Sequence, residues 1–151
     1  MTVYSLKDVH ASISGPGGNF PLTGDEAGIA DEGISTEPNG DQSGMQTGGD
    51  GAWMHSLYAD KSGVVKIRLL KTSTINAQLQ AMFNYQTSSA ALHGRNTIII
   101  RDTVRGDVIT CRGVAFKKDS AKTYAKDAGL MEWTFDAGHI SSILGNGSPE
   151  K

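Results

Sequence analysis

Few of the side chains that commonly perform chemistry are arranged for it in this sequence. The single cysteine, Cys111, has no histidine or second cysteine near it and lies in a predicted strand, which favours a small buried side chain. No two histidines have the spacing of a metal-ligand pair; the four are His10, His55, His93 and His139. The residue types therefore predict neither a metal site nor a disulfide framework.

Two carboxylates, Glu132 and Asp136, lie on one face of a predicted strand, where a glycosidase could place its acid and its base. A solvated strand face accounts for the same spacing, and we favour that interpretation. The glycine-rich turn at residues 15–18 lacks the lysine and hydroxyl of a phosphate-binding loop. Because no segment combines a nucleophile, a base and an oxyanion site, we expect a protein that is not an enzyme and needs no cofactor.

The length and composition indicate one globular domain. The chain has 151 residues, of which 38% are hydrophobic and 19 are glycine. No apolar run exceeds three residues, far short of the roughly 20 that a membrane-spanning helix needs, so we expect no membrane binding. The net charge of −2 gives no general electrostatic reason to bind nucleic acid.

The charges are divided unevenly along the chain. Residues 1–60 carry nine acidic residues and one basic residue, whereas residues 61–151 carry 13 basic and seven acidic residues. Such a division could steer the acidic part of one copy onto the basic part of another. Alternatively, folding mixes the two halves in space.

The hydrophobic pattern predicts a mainly β fold. Leu130 to Ala137 alternates apolar and polar residues most clearly, as a strand with one buried face does. Further strands are predicted at residues 3–14, 20–22, 29–37, 63–71, 97–103 and 107–117. One helix is predicted from the apolar stripe of Ile75, Leu79, Met82 and Phe83, with a possible extension through residues 90–92. We therefore expect an antiparallel β-sandwich or barrel with one flanking α-helix.

A long glycine-rich loop is predicted at about residues 38–56, and a short flexible tail at about residues 145–151. Eleven of the 19 glycines fall in residues 15–51, and the loop shows no helix or strand period. Loops of this length are uncommon in compact domains and are usually functional or disordered. Its large apolar residues are candidate contacts with another copy, although Trp53 and Met54 could instead begin a core strand; the three are Met45, Trp53 and Met54.

Four segments in this order resemble the tail tube proteins of contractile-tailed bacteriophages. They are YSLKDVHASISGPGGNFPL at residues 4–22, GDGAWMHSLYADKSGVVKIRLLKTSTINAQL at 49–79, RGDVITCRGVAFKK at 105–118 and YAKDAGLMEWTFDAGHI at 124–140. The similarity extends over nearly the whole chain, and it includes the related inner-tube proteins of type VI secretion systems and pyocins.

The resemblance implies a structural virion protein. Six copies would form a homohexameric ring whose sheets join around a channel, and stacked rings would form the inner tube of the tail. The implied partners are other copies of the chain, the tail sheath protein, the tape-measure protein and the phage DNA. The tube would conduct DNA during ejection, and it would be assembled in the cytoplasm of the bacterial host. The resemblance supplies no catalytic residues and no cofactor.

Within such a tube, we expect residues 38–56 to make inter-ring contacts through Met45, Trp53 and Met54. We expect Glu132 and Asp136 to line the channel, because a wall that repels phosphate lets DNA pass. Lys66 and Arg68 occupy another solvated strand face and are the alternative wall residues. The alternative function is a monomeric β-sandwich binding module of a phage tail or baseplate, using loop aromatics such as Trp53 and Tyr58.

Overall fold

The structure is a computed structural model that describes residues 3–24 and 28–145, with residues 29–32 described by their backbone alone. The described chain contains the following strands: β1 (Val9–Gly15), β2 (Gly18–Pro21), β3 (Ile29–Pro38), β4 (Ser43–Thr47), β5 (Trp53–Leu57), β6 (Gly63–Leu70), β7 (Asn96–Asp102), β8 (Asp107–Phe116) and β9 (Leu130–Ile143). One α-helix, α1, covers Ile75–Gln86. The mainly β prediction with one helix is confirmed.

Seven strands form one antiparallel sheet, in the order β2-β1-β7-β8-β9-β6-β3. The remaining strands, β4 and β5, pair only with each other in a separate hairpin inserted between β3 and β6. The large sheet is open, so β2 and β3 are its two edges among the described strands.

The alternation of apolar and polar residues in β9 determines which face of the sheet covers the core. Its apolar residues face the same side as the apolar residues of β6, with which they pair: Met131 with Leu69, Trp133 with Ile67, and Phe135 with Val65. Trp133 and Phe135 are fully buried. One face of this part of the sheet is therefore apolar and the other polar, as the period of two predicts.

The sheet bends at a glycine in each of two neighbouring strands, Gly113 in β8 and Gly138 in β9. Two consecutive residues are exposed on each strand, Arg112–Gly113 on β8 and Gly138–His139 on β9, and these pairs lie opposite each other. Gly113 has a φ of +62°, which an L side chain rarely adopts. The buried side chains on both sides of this bend join one hydrophobic cluster. We call β2, β1, β7, the first half of β8 and the end of β9 after Gly138 layer 1, and the second half of β8, the first part of β9, β6 and β3 layer 2.

Helix α1 packs against this cluster through the predicted stripe. Ile75, Leu79 and Met82 are buried, and the ring of Phe83 contacts that of Phe116 edge-on at 5.5 Å. The helix ends at Gln86, and residues Ala90–Leu92 form a separate 3₁₀ turn rather than its continuation. The chain reverses after this turn at Gly94, whose φ is +78°.

Two buried amides fasten the ends of α1 to the sheet. Near its start, Asn76 accepts a hydrogen bond from the Trp133 indole (3.1 Å) and donates one to the Leu70 carbonyl (2.9 Å). At its end, Gln86 and Asn96 exchange amide hydrogen bonds of 2.7 and 2.8 Å, and Gln86 also donates to the Pro16 carbonyl. Because buried amides are costly unless they are satisfied, these bonds fix the position of the helix.

Three sequence-based boundaries need correction. The first predicted strand begins later, at Val9, because Leu6–Asp8 forms a 3₁₀ turn capped by Ser5. The last strand is longer than predicted and runs to Ile143. The predicted loop at 38–56 contains the β4–β5 hairpin, which the glycine-rich composition concealed. The predicted C-terminal tail lies outside the described residues except for Gly145.

No helix in the described part of the chain is long and apolar enough to cross a membrane.

Candidate functional site

The β4–β5 hairpin is the clearest candidate surface. Its strands pair in register from Ser43 with Leu57 to Thr47 with Trp53. At the tip, the Gly48 amide donates to the Ala52 carbonyl (2.7 Å), and the Ala52 amide donates to the Asp50 carboxylate (3.0 Å). The hairpin is thus a closed and ordered element rather than an irregular loop.

Hydrogen bonds also close the base of the hairpin. The Asn39 amide donates to the Ser62 carbonyl (3.1 Å), and the Asn39 side chain donates to the Ser62 hydroxyl (3.0 Å). Asp60 accepts from both the hydroxyl (2.6 Å) and the backbone amide (2.9 Å) of Ser62, and these bonds lower the pKa of its carboxyl group. The base is therefore tied to the large sheet while the strands extend away from it.

The two faces of the hairpin differ in composition. Residues that pair directly share a face, so Met45, Trp53 and Leu57 lie on one face, and Met54 lies on the other. Met45, Trp53 and Leu57 have 60%, 70% and 87% of their surface exposed. We call these three residues the apolar hairpin face. Trp53 and Met54 do begin a strand, but that strand is not part of the core.

Such a hairpin has a physical reason to bind something. An isolated two-stranded sheet is at best marginally stable in water, because it cannot bury its apolar side chains. Among the described strands, no third strand pairs with β4 or β5. The hairpin therefore presents a preformed apolar surface whose burial would stabilise it.

Glu132 and Asp136 lie on the exposed face of layer 2, as the sequence predicts. Glu132 forms a salt bridge with Arg68 across the β6–β9 pair, with 3.1 Å between Nε and Oε2. Lys66 lies on the same face, opposite Thr134. The structure therefore combines on one surface the acidic and basic residues that the sequence offered as alternatives.

The exposed face of layer 1 has a different charge. Arg101 pairs with His10, and Arg112 pairs with His139, all on the side away from the core. No acidic residue of the described β1, β7 or β8 points to this side, because Asp102 and Asp107 lie on the face of their strands that is turned toward the core. This face carries cations without carboxylates, whereas the exposed face of layer 2 carries both.

The residues considered for chemistry have the following surroundings. Burial raises the pKa of the Cys111 thiol to about 11, so this cysteine is a buried neutral side chain. No cluster of three or more potential metal ligands occurs within residues 3–24 and 28–145. Glu132 has Arg68 as its partner, an arrangement that suits a surface ion pair.

Sequence analysis missed one apolar surface. Leu70 and Leu130 pair directly at the end of β6 and are both nearly half exposed, and Tyr124 lies nearby with 86% of its surface exposed. The Lys71 ammonium lies 3.8 Å from the centroid of the Tyr124 ring. Leu70 follows Leu69, and Leu130 precedes Met131, and both of these neighbours pack in or against the core. Because side chains alternate between the faces of a strand, Leu70 and Leu130 point away from the core, and this alternation was the sign of an exposed apolar surface in the sequence.

Comparison with protein families gives one match across nearly the whole chain. A family model described as "Bacteriophage PhiTE tail tube protein" matches residues 1–145. No curated protein matches the chain in sequence.

Solved structures with a similar fold come from contractile injection systems. A chain of the PVC sheath-tube complex in the extended state has a TM-score of 0.57 at 12% identity, covering 93% of this chain and 90% of that chain. A chain of the PVC sheath/tube terminator has a TM-score of 0.58 at 13% identity, with coverages of 95% and 98%. A chain of the anti-feeding prophage cap has a TM-score of 0.55 at 9% identity, with coverages of 96% and 93%. At these identities the similarity concerns the fold.

Proposed function

The chain belongs to the bacteriophage PhiTE tail tube protein family, and from that premise we propose that it assembles into stacked hexameric rings. The rings form the inner tube of a contractile phage tail, through which DNA passes during ejection. The family is structural, so the prediction that the chain is not an enzyme is confirmed. Its proposed partners are other copies, the tail sheath protein, the tape-measure protein and phage DNA.

The β4–β5 hairpin is the observation that carries the assembly proposal. Three apolar side chains are exposed on one face of this hairpin, with which no third strand of the described residues pairs. Large exposed apolar residues of this kind are typical anchors of protein interfaces. We assign Met45 and Trp53 to the contacts between rings, together with Leu57 on the same face of the hairpin; Met54, the third residue that the sequence offered, lies on the opposite face and is left out of this assignment.

The open sheet supports closure within a ring. Among the described strands, β2 and β3 are paired on one side only, so their outer backbone groups can pair with a neighbouring copy. The backbone N–H of Asn39, just after β3, donates toward β6, and successive backbone N–H groups along a strand point to opposite sides. The backbone nitrogen of Pro38 therefore faces the outer edge, and its lack of an N–H costs no hydrogen bond to β6. Pairing between copies would join the sheets into a continuous wall.

The charges favour layer 2 as the wall of the channel. A basic surface binds DNA because each cation that neutralises a phosphate releases counterions. The exposed face of layer 1 has that character, whereas the exposed face of layer 2 carries carboxylates beside its cations: Glu132 lies beside Arg68, and Asp136 and Glu37 lie on either side of Val64 in β6. We therefore place Glu132 and Asp136 toward the lumen and assign the basic residues of layer 1 to another surface.

Electron microscopy of the purified chain tests this function. Stacked rings with a central channel are expected, and their rotational symmetry gives the number of copies in a ring. Dispersed particles the size of a single chain, at all concentrations and at low salt, would favour the monomeric binding module instead.

A further inference from the structure

The proposed stacking leaves open what surface receives the hairpin. The apolar hairpin face and a second group of exposed apolar side chains lie at opposite ends of the same strand, β6. The hairpin is inserted next to Gly63, the first residue of β6, and Leu70 is the last. At about 3.3 Å per residue, the two ends are roughly 23 Å apart.

The surface at the far end contains Leu70, Leu130 and Tyr124, which we call the Leu70 patch. Leu70 and Leu130 pair across β6 and β9, and Lys71 connects this pair to Tyr124. The Lys71 side chain also donates a hydrogen bond to the Thr123 carbonyl, which holds the segment after β8 near the end of β6. The patch is thus an ordered apolar surface with an aromatic ring at its margin.

The charges around the two surfaces are opposite. Residues 39–60, which contain the hairpin, include Asp41, Asp50 and Asp60 and no lysine or arginine. The segment at residues 117–129, taken with Lys71, contains five lysines and two aspartates. Asp119 of this segment is held by Lys122, with 2.8 Å between Oδ1 and Nζ. The hairpin therefore carries negative charge beside its apolar face, and the Leu70 patch carries positive charge beside its own.

We propose that the apolar hairpin face of one copy docks on the Leu70 patch of a copy in the adjacent ring. The occupant of the patch is thus a second copy of this chain, contributing Met45, Trp53 and Leu57. Because the two surfaces differ and lie at opposite ends of β6, the contact is head-to-tail and leaves a free hairpin and a free patch at the two ends of every stack. Contact between two hairpins is disfavoured, since both are acidic. This inference rests on the proposed function, because it specifies the contact by which the rings stack.

Two complementary variants test the contact. The first, Met45→Ser/Trp53→Ser, removes two of the three side chains of the apolar hairpin face, and the second, Tyr124→Ser/Leu130→Ser, removes two of the three side chains of the Leu70 patch. All four side chains are exposed, so circular dichroism and urea unfolding should match the wild type. The matched controls are Met54→Ser, on the other hairpin face, and Tyr124→Phe/Leu130→Met, which keeps the patch apolar.

The wild type should form long tubes, and each double serine variant should form separate rings without stacking. An equal mixture of the two preformed variant rings should give pairs of rings and nothing longer, because one variant retains the hairpin face and the other retains the patch. Both controls should form long tubes. If the wild type forms tubes, the proposed function stands. In that case, tubes from the patch variant, or a mixture without ring pairs, would overturn the docking inference alone. A wild type that never assembles would overturn both.

Crosslinking provides a measurement that does not depend on disabling the interface. A chain with Thr47→Cys, which lies opposite Trp53 on the same hairpin face, and Ala125→Cys, which is next to Tyr124, should be joined to other copies in the tube by a short bifunctional maleimide. The matched chain with Met54→Cys and Ala125→Cys should be joined much less, and the buried Cys111 should contribute little background. Equal crosslinking of the two chains would contradict the assignment of the docking face.

Discussion

Glu132 and Arg68, which are 64 positions apart in sequence, form a salt bridge of 3.1 Å on the exposed face of layer 2. The pairing of β6 with β9 places the two side chains directly opposite each other. A cation on the proposed channel wall therefore has a carboxylate beside it, which reduces its attraction for a phosphate.

The first prediction concerns this balance of charge. The variant Glu132→Gln/Asp136→Asn should still assemble, because both side chains are exposed, but its tubes should retain DNA more strongly than wild-type tubes. Each copy loses two negative charges, so binding should rise most at low salt and decline as salt is added. Cosedimentation of tubes with short DNA duplexes measures the effect.

The matched control is Asp50→Asn, which removes a carboxylate from the hairpin tip rather than from layer 2. Unchanged DNA retention in the Glu132→Gln/Asp136→Asn tubes, or an equal rise in the control, would argue against placing these carboxylates in the channel.

The helix stripe gives a stability prediction. Leu79 is fully buried between α1 and the sheet, so Leu79→Ala should lower the free energy of unfolding by about 2–5 kcal/mol. The neighbouring exposed residue provides the control, since Gln78→Ala should change it by no more than about 0.5 kcal/mol. Urea unfolding of the unassembled chain measures both. A loss below about 1 kcal/mol for Leu79→Ala would mean that the stripe is not packed as described.

Cys111 provides a prediction about pH. Burial raises the pKa of its thiol from 9.0 to about 11, so at pH 8 the folded chain should react with a thiol reagent at least about 100-fold more slowly than the unfolded chain. Because the thiol ionises at a lower pH in the unfolded chain than in the folded chain, its ionisation favours unfolding. The free energy of unfolding is therefore unaffected by this group below pH 9 and falls as the pH rises from 9 to about 11. Equal labelling rates with and without urea would show that the thiol is accessible.

The hairpin should be dispensable for folding and necessary for stacking. Asn39 and Ser62 are hydrogen-bonded, so a short glycine-serine linker can replace residues 41–60 without disturbing β3 or β6. The free energy of unfolding should change by about 1 kcal/mol or less, since loop length affects stability only weakly. Sedimentation should detect no tubes. Normal tubes from this variant would remove the hairpin from the contact between rings.

The sequence predicts those parts of the fold whose periodicity is decided by burial. Met131, Trp133 and Phe135 alternate because one face of β9 is covered, and Leu79 and Met82 follow the helical period because one side of α1 is covered. Glu132 and Asp136 could be placed on one face for the same reason.

The hairpin could not be predicted in this way, because its apolar residues are exposed and glycine interrupts the pattern. Met45, Trp53 and Leu57 share a face only once the register of β4 and β5 is known. The Leu70 patch depends on pairing between residues 60 positions apart, which local sequence does not encode. Contacts that another copy would satisfy leave no periodic pattern within a single chain.

Cryo-electron microscopy of the purified full-length chain tests the central claim most directly. The account predicts stacked hexameric rings around an open channel, with the β4–β5 hairpin of each copy seated on the adjacent ring and Glu132 facing the lumen. Particles no larger than one 16.0 kDa chain under all conditions, or tubes whose hairpins do not touch an adjacent ring, would contradict it.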